Sequence, residues 1–232
     1  MRILTGKDVG IQFTDNKRWL YRHVNFHLDS SQILALVGDN GVGKTTLIRT
    51  IMGQRTVTEG QIIHDHTQDL RIGYVPQYHD DIGAFPLHIA DFVGLSYDRG
   101  LLPWLRRSEK EHLAHVLEEA NLTAIANERI DRASGGEKQR AFLAQAMIQD
   151  PDVLILDEAT ANMDNVAKFA LMDVVKHYRD HHDLSVIMVS HDLDIVERYS
   201  DNYLLLSPDG AEFGPIDALD TSKLEEGGRD HV

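Results

Sequence analysis

Residues 38–45 read Gly-Asp-Asn-Gly-Val-Gly-Lys-Thr and fit the pattern G-x-x-x-x-G-K-[ST]. The pattern follows an apolar run and precedes a helical one, the context in which such a loop surrounds phosphate oxygens with backbone N–H groups. The helix N-terminus adds partial positive charge, and the lysine adds a full one. The residues predicted to hold a nucleoside triphosphate are Gly38, Asp39, Asn40, Gly41, Val42, Gly43, Lys44, Thr45 and Thr46.

Two adjacent carboxylates, Asp157 and Glu158, end the apolar run of residues 153–156. Carboxylates at the end of a buried strand are costly unless they face a site or water. We expect Asp157 to hold Mg²⁺ through water, with the Thr45 hydroxyl as a second ligand. Glu158 would then orient or deprotonate the attacking water. A strand ending in Asp-Glu is often structural when it stands alone, and the phosphate loop before it favours the functional interpretation.

A second anion-binding helix start is predicted at residues 134–137, Ser-Gly-Gly-Glu. Ser134 is a good helix cap, and Gly135 and Gly136 let a ligand approach the backbone closely. A flexible helix start is the plainer alternative. Because the phosphate loop occupies one side of the nucleotide, Ser134, Gly135, Gly136 and Glu137 would serve its open side, and a second copy of the chain could supply them.

The elements that must position these residues follow from the hydrophobic pattern. Strands are predicted at residues 9–13, 24–28, 33–37, 61–63, 72–75, 153–156 and 185–189, and helices at 44–52, 109–119, 134–147 and 165–178. Ser108 is the expected cap of the second helix, and Gly53 the expected stop of the first. Strands alternating with helices favour a mainly parallel sheet that is covered on both faces.

Composition excludes several classes of protein. The chain has 232 residues, 42% of them hydrophobic, which suits one large domain or one domain with a subdomain. A net charge of −14 disfavours nucleic acid as a partner, and the lack of cysteine excludes disulfides and thiolate metal sites. No run approaches the roughly 18 apolar residues of a membrane span, and residues 1–7 are too polar for a signal peptide. Any association with a membrane is expected to go through a partner.

Taken together, the motifs resemble those of the ATP-binding subunit of an ABC transporter. Residues 133–137, Ala-Ser-Gly-Gly-Glu, are similar to its LSGGQ signature, with alanine and glutamate in place of leucine and glutamine. The resemblance implies further site residues over residues 3–210: Gln77 of the Q-loop as a catalytic residue and Mg²⁺ ligand, Asp164 of the D-loop, and His191 as the switch histidine near the γ-phosphate. Ala159, where the family commonly has proline, is another tolerated variant.

The resemblance places Phe13 where the family stacks an aromatic ring on adenine. The stretch from Phe13 to Val24 is about two residues longer than usual, within the range of short loops. Trp19 and Tyr21 therefore compete for this role, and Tyr21 aligns better with a position in the core.

The fold implied is α/β, a RecA-like P-loop NTPase core with N-terminal antiparallel strands and an inserted helical subdomain. Residues 1–220 would be one ABC ATPase domain, with 1–77 and 150–220 as the nucleotide-binding core, 78–149 as the helical subdomain, and 221–232 as a polar tail. Apolar residues of the insert are mostly expected in its own core, with two or three exposed for a permease: Phe85, Pro86, Leu87, Phe92, Leu101, Leu102, Trp104 and Leu105.

The resemblance also implies partners and a location. Two copies would enclose two ATP molecules head to tail, bound to an integral membrane permease on the cytoplasmic face of the cell membrane, with a solute-binding protein in the full system. Residues 71–77, 89–93 and 102–107 resemble subunits for zinc or manganese import. Iron-complex and other small-solute importers are alternatives.

Two further classes of protein remain as alternatives. A soluble ABC ATPase acting on DNA or ribosomes would be expected to carry a long coiled coil, a second ATPase unit or cysteine zinc modules, and the sequence has none of these. A nucleotide-binding module without hydrolysis fits poorly with intact Glu158, Gln77 and His191.

Histidines are numerous, at 13, and the sequence favours a surface position for His64, His66, His181 and His182 rather than a metal site. Neither pair is accompanied by a completed set of ligands, so the sequence predicts that the chain does not itself bind a transported metal.

Overall fold

A computed structural model describes residues 1–13, 18–64, 70–77, 86–97, 105–161, 163–207 and 210–221. Nine strands are present in this part of the chain: β1 (Arg2–Gln12), β2 (Trp19–Asp29), β3 (Ile33–Gly38), β4 (Glu59–His64), β5 (Ile72–Val75), β6 (Val153–Asp157), β7 (Ser185–Val189), β8 (Asn202–Ser207) and β9 (Gly210–Pro215). They form two sheets, one of three strands in the order β2-β1-β4 and one of six in the order β5-β6-β7-β3-β8-β9. The first is antiparallel, and the second is parallel except for β9.

The described residues also form six helices: α1 (Lys44–Ile51), α2 (Ile89–Gly94), α3 (Arg107–Glu119), α4 (Gly135–Met147), α5 (Asn165–His182) and α6 (Leu193–Tyr199). The predicted α/β class, parallel sheet and N-terminal antiparallel strands are confirmed. The predicted cap of α3 is wrong, because the helix begins at Arg107. The N–H of Arg106, the residue before the helix, donates to the Glu109 carboxylate at 2.6 Å. A side chain of the first turn thus accepts a hydrogen bond from the backbone at the helix N-terminus.

Two hydrophobic cores lie on opposite faces of the large sheet, as the alternation of a buried strand requires. In β6, Leu154 and Leu156 face a core formed with α2 to α6. Val153 and Ile155, on the other face, join a core formed with α1 and the antiparallel sheet. Both faces of the sheet are therefore covered, which explains why β3, β6 and β7 are buried along their whole length and consist mostly of apolar residues.

The region between β5 and β6 packs against the sheet through helices. Phe92, which is 7% exposed, and Val116 and Leu117 of α3 belong to the same core as the sheet. Among the insert's predicted apolar contacts, Phe92 is buried, Leu87 and Leu105 are half-buried and Pro86 is exposed. Phe85, Leu101, Leu102 and Trp104 lie outside the described residues.

Parallel pairing brings the carboxyl ends of several strands to one edge of the large sheet. In register, Val75 pairs with Leu156, and Asp157 pairs with Val189. Since ligands of open α/β sheets bind beyond this edge, the segments that follow β3, β5, β6 and β7 are placed to build a common site. No helix in the described part of the chain is long and apolar enough to cross a membrane.

Candidate functional site

The loop between β3 and α1 depends on glycine. Gly38 and Gly43 have φ angles of 140° and 106°, in the region that favours glycine. A Cβ on Gly38 would lie 2.2 Å from the carbonyl oxygen of Leu206, so no larger residue fits there. The loop delivers the chain into α1, whose first N–H groups have no partner within the helix. These N–H groups fit an anion such as a phosphate.

Lys44 carries its charge inside this loop. Its side chain is 6% exposed, and its ammonium donates to the carbonyl oxygens of Gly38 at 2.7 Å and Asp39 at 2.9 Å. Burial lowers the pKa of Lys44, and the nearby carboxylates Glu158, Asp39 and Asp157 partly oppose that shift. The ammonium is thus held by neutral carbonyls, which a phosphate group can replace as a stronger partner. Thr45, next in the chain, is exposed.

Asp157 ends β6 and is 7% exposed. The Tyr74 hydroxyl on the neighbouring strand β5 donates to its carboxylate at 3.0 Å. Burial is the main effect that raises the pKa of Asp157, and the Tyr74 hydrogen bond opposes it. The sequence did not predict a contact for Tyr74. Parallel pairing of β5 with β6 was the signal that could have suggested it.

Glu158 lies at the point where three strand ends meet. Its Oε2 accepts from the Gln77 amide at 2.7 Å, and its Oε1 lies 3.3 Å from Nε2 of His191. Its backbone adopts φ 52° and donates to the carbonyl of Val189 at 3.1 Å. A non-glycine residue at positive φ is uncommon and is often found at functional sites. The structure therefore brings together Glu158, Gln77 and His191, the residues predicted to be catalytic.

A cavity of about 560 Å³ adjoins this cluster and is lined by Glu158, Ser190 and His191, among others. Its far side is formed by an ion pair between Lys168 and Asp192. Asp192 also caps α6 by accepting from the N–H of Ile195 at 3.4 Å, which fixes the chain that follows His191. The cavity leaves open space beside the carboxylate where a reacting group could lie.

The predicted signature segment begins α4. Ser134 is the helix cap, and its N–H and hydroxyl both donate to one carboxylate oxygen of Glu137 at 2.7 Å. These hydrogen bonds hold the pKa of Glu137 below its ordinary value. A Cβ on Gly135 would meet no atom within 4 Å, whereas one on Gly136 would contact Ala167 at 3.4 Å. The helix start is thus open on the side of Gly135.

Asp164 of the predicted D-loop caps α5 by accepting from the N–H of Ala167 at 2.9 Å. The structure gives Asp164 this local contact. Its neighbour Asn162 lies outside the described residues.

The three aromatic candidates for adenine stacking differ in burial. Tyr21 is 3% exposed and belongs to the core, as the sequence predicted. The guanidinium of Arg22 lies 4.4 Å from the centre of the Trp19 ring, so that face of the indole is covered. Phe13 is 40% exposed at the end of β1. Phe13 is therefore the most exposed of the three rings.

Comparisons with known proteins show which family the chain belongs to. Residues 21–161 match the model of the family described as ABC transporter. The chain is 36% identical over 204 residues to the zinc import ATP-binding protein ZnuC 1 of Aliivibrio fischeri, covering 88% of this chain and 75% of the relative. It is 34% identical over 213 residues to the zinc transport system ATP-binding protein AdcC of Streptococcus pneumoniae, covering 89% and 90%.

The fold also matches that of solved structures. CbiO1 of Clostridium perfringens, part of the ABC transporter complex cbiONQ, superposes with a TM-score of 0.82 at 23% identity, covering 93% of this chain and 89% of that one. The chain belongs to the ABC transporter family. It is an ATP-binding subunit of that family, and its activity is the hydrolysis of ATP.

Proposed function

We propose that ATP hydrolysis by this chain powers the import of a metal ion through a membrane permease, with zinc as the cargo. The main observation behind ATP hydrolysis is that Gln77 and His191 contact the two carboxylate oxygens of Glu158. These contacts lie at the sheet edge that also holds the phosphate loop. The cargo rests on the names of the relatives, which are zinc import and zinc transport ATP-binding proteins.

The phosphate loop and Lys44 are proposed to hold the triphosphate. The N–H groups of residues 38–46 surround the β-phosphate, and the Lys44 ammonium leaves its two carbonyl partners to contact the β- and γ-phosphates. Phe13 stacks on adenine with its exposed ring. Each contact uses a group that the folded chain already presents.

Mg²⁺ is proposed to bind between Thr45, Gln77 and Asp157. A hydroxyl, an amide oxygen and a carboxylate are the hard oxygen ligands that this ion takes, so the residues fit the metal. When bound, Mg²⁺ would neutralise charge on the β- and γ-phosphate oxygens. The buried Asp157 carboxylate, whose pKa is raised, gains a positive partner in that arrangement.

Glu158 is proposed to act on the attacking water. Its carboxylate accepts a proton as the water oxygen forms a bond to the γ-phosphorus, and the bond to the bridging oxygen breaks to leave ADP and phosphate. Gln77 and His191 hold the two carboxylate oxygens in place, which fixes the direction from which the base approaches. His191 is also proposed to donate to the γ-phosphate.

Two copies of the chain are proposed to bind two ATP molecules head to tail. Ser134, Gly135 and Gly136 of one copy would contact the γ-phosphate held by the other copy, with Glu137 and Asp164 close to that contact. The open side of Gly135 and the exposed Ser134 support this arrangement. ATP bridges the two copies while ADP does not, so hydrolysis changes the stability of the pair.

The partners and location follow from the same proposal. An integral membrane permease binds the helical region, a solute-binding protein delivers the cargo, and the chain works at the cytoplasmic face of the membrane. Residues 1–77 and 150–220 act as the nucleotide-binding core and 78–149 as the subdomain facing the permease. Of the predicted polar tail, 221–232, all but the first residue lies outside the described residues. The net charge of −14 argues against nucleic acid as a partner.

Reconstitution tests the function as a whole. The membrane protein that co-purifies with the chain is placed in vesicles with it, and Zn²⁺ uptake is measured with and without ATP. We expect ATP-dependent uptake that falls by roughly 10²-fold in Glu158→Gln, the range for loss of a general base. Lys176→Ala, a change at an exposed residue of α5, is the matched control and should transport normally. ATP-driven uptake of an iron complex and not of zinc would contradict the cargo.

A further inference from the structure

A histidine-carboxylate cluster lies between α3 and α5, away from the residues assigned to the nucleotide. His115 and Glu119 are four residues apart on α3 and therefore share one face of that helix. His182 is the last residue of α5. Ligand atoms of these three side chains all lie within 4.8 Å of one another. The sequence favoured a surface position for His182 and no metal site, because Glu119 and His182 are 63 positions apart. The cluster gives reason to depart from that prediction.

Glu119 is the centre of the cluster. Its side chain is 9% exposed, and its Oε1 lies 2.8 Å from Nε2 of His182, 3.5 Å from Nε2 of His115 and 3.7 Å from Nε2 of His177. Within the described ranges, every ion-pair partner found for this carboxylate is a histidine. A bound cation would give this little-exposed carboxylate a full positive charge as its direct partner.

We infer that His115, Glu119 and His182 form a binding site for Zn²⁺ that is separate from the ATP site. Two imidazoles and one carboxylate are a common ligand set for zinc, with water in the fourth position of a tetrahedron. Mg²⁺ and Ca²⁺ prefer sets made only of oxygen ligands, so the two imidazoles select against them.

The spacing of the ligand atoms fits one ion. With zinc-to-ligand distances of about 2.0–2.2 Å, neighbouring ligands of a tetrahedral site lie roughly 3.3–3.5 Å apart. The two distances to the Glu119 oxygen, 2.8 Å from His182 and 3.5 Å from His115, bracket that value. The ligand atoms of His115 and His182 lie within 4.8 Å of each other, so side-chain rotations would be needed to convert the hydrogen-bonded cluster into a coordination sphere.

An ion has access to the cluster. A cavity of about 200 Å³ is lined by His115, Glu119 and His182, and the ring of Tyr178 forms part of its wall. None of the three proposed ligands lines the cavity beside Glu158. The chain's charge of −14 also favours the approach of a cation.

Binding would cross-link the two helices. An ion held by α3 and by the end of α5 stabilises the folded chain by mass action, because the unfolded chain lacks the assembled site. The effect does not depend on transport or on ATP hydrolysis, so its failure and the failure of the proposed function can be told apart.

Titration of the full nucleotide-free chain with Zn²⁺ tests the site. We expect the chain to bind one equivalent of Zn²⁺. Glu119→Gln and His182→Ala should each weaken the affinity for Zn²⁺ by about tenfold or more. Even the loss of a residue that only hydrogen-bonds to a metal ligand can have an effect of this size. Co²⁺ in place of Zn²⁺ should give the visible absorption of a tetrahedral site, and both variants should lose it. Zn²⁺ should raise the melting temperature of the wild-type chain and not that of the variants.

His181→Ala is the matched control, because His181 is an exposed neighbour of His182 whose Nδ1 lies 2.8 Å from the carbonyl oxygen of His177. It should bind Zn²⁺ within twofold of the wild type. Circular dichroism without metal should show that all variants are folded to the same extent. A wild-type chain that binds no Zn²⁺, or a loss of affinity that is equal in His181→Ala and His182→Ala, would overturn the assignment.

Discussion

At the residue scale, the charged groups of the phosphate site are held mainly by neutral partners. Carbonyl oxygens hold Lys44, a tyrosine hydroxyl holds Asp157, and an amide holds one oxygen of Glu158. Lys44 and Asp157 are buried, and the cost of their burial is only partly offset by opposite charges nearby, so the ligand-free chain is less stable than it would be with neutral residues there. The same charges favour binding, since a metal and a triphosphate supply the missing partners.

Asp157→Asn should therefore stabilise the nucleotide-free chain at pH 7. Burial raises the pKa of Asp157 above its ordinary value of 3.8. The folded state then binds this proton more tightly than the unfolded state, so the group's contribution to stability is present below pH 3.8 and is lost as pH rises through the raised pKa. Asparagine avoids this loss and still accepts a hydrogen bond from Tyr74. Urea unfolding should give a gain in the free energy of unfolding at pH 7 that shrinks at acidic pH.

Asp183→Asn provides the control for this measurement. Asp183 is exposed and has a left-handed backbone with φ 52°, a conformation that asparagine also adopts. Its replacement should change the unfolding free energy little at either pH. A loss of stability in Asp157→Asn at pH 7 would contradict the account of a destabilising buried carboxylate.

At this scale the short motifs suggested the phosphate loop and Glu158 as site residues, and the family resemblance added Gln77 and His191. Gln77, Glu158 and His191 each follow a strand, and parallel pairing of those strands brings them together. The partners of Lys44 were not predictable, because they depend on the curvature of the loop. The contact of Tyr74 with Asp157 was not predicted, although the pairing of β5 with β6 could have suggested it.

At the element scale, the start of α4 combines stability with a candidate binding surface. The Ser134 hydroxyl and the Glu137 carboxylate form a capping box, in which two side chains satisfy the first turn. A negative side chain there also interacts favourably with the helix N-terminus. The predicted helix and cap are confirmed, because a serine three residues before a glutamate is a local signal.

Glu137→Ala should lower the free energy of unfolding by about 1 kcal/mol, the usual cost of losing a helix cap. Glu137→Gln should retain most of the stability, since its amide oxygen can still accept from Ser134. Glu197→Ala, a change at an exposed position of α6, is the control. Urea denaturation of the three variants compares them. Equal stability of Glu137→Ala and the wild type would show that the capping box contributes nothing measurable.

Other elements show where the local sequence pattern gives wrong bounds or misses a strand. Ser108 was a reasonable cap by residue type, but α3 begins earlier because Glu109 reaches back to the Arg106 N–H. The strands β1 and β2 extend beyond the alternating runs that predicted them, since antiparallel pairing continues through positions of irregular register. The sequence did not predict β8 and β9, although β8 completes the parallel part of the sheet beside β3.

At the scale of the whole molecule, the large sheet separates two cores and gathers the phosphate loop, Gln77, Glu158 and His191 at one edge. This edge was predictable from strand and helix alternation. The cluster of His115, Glu119 and His182 was not, because its ligands come from helices whose packing follows from the tertiary fold. The second copy of the chain was suggested by the open side of the nucleotide opposite the phosphate loop and by the family resemblance.

The measurement that tests the central claim most directly is ATP turnover and sizing chromatography of Glu158→Gln. We expect ATP binding to survive while turnover falls by roughly 10²-fold, because the base is lost and the side chain's size is kept. The uncleaved ATP should then hold a dimer that is seen with MgATP and absent with ADP. Adding Ser134→Arg should abolish that dimer by obstructing the γ-phosphate contact. Hydrolysis by Glu158→Gln at the wild-type rate would contradict the assignment of Glu158 as the catalytic base.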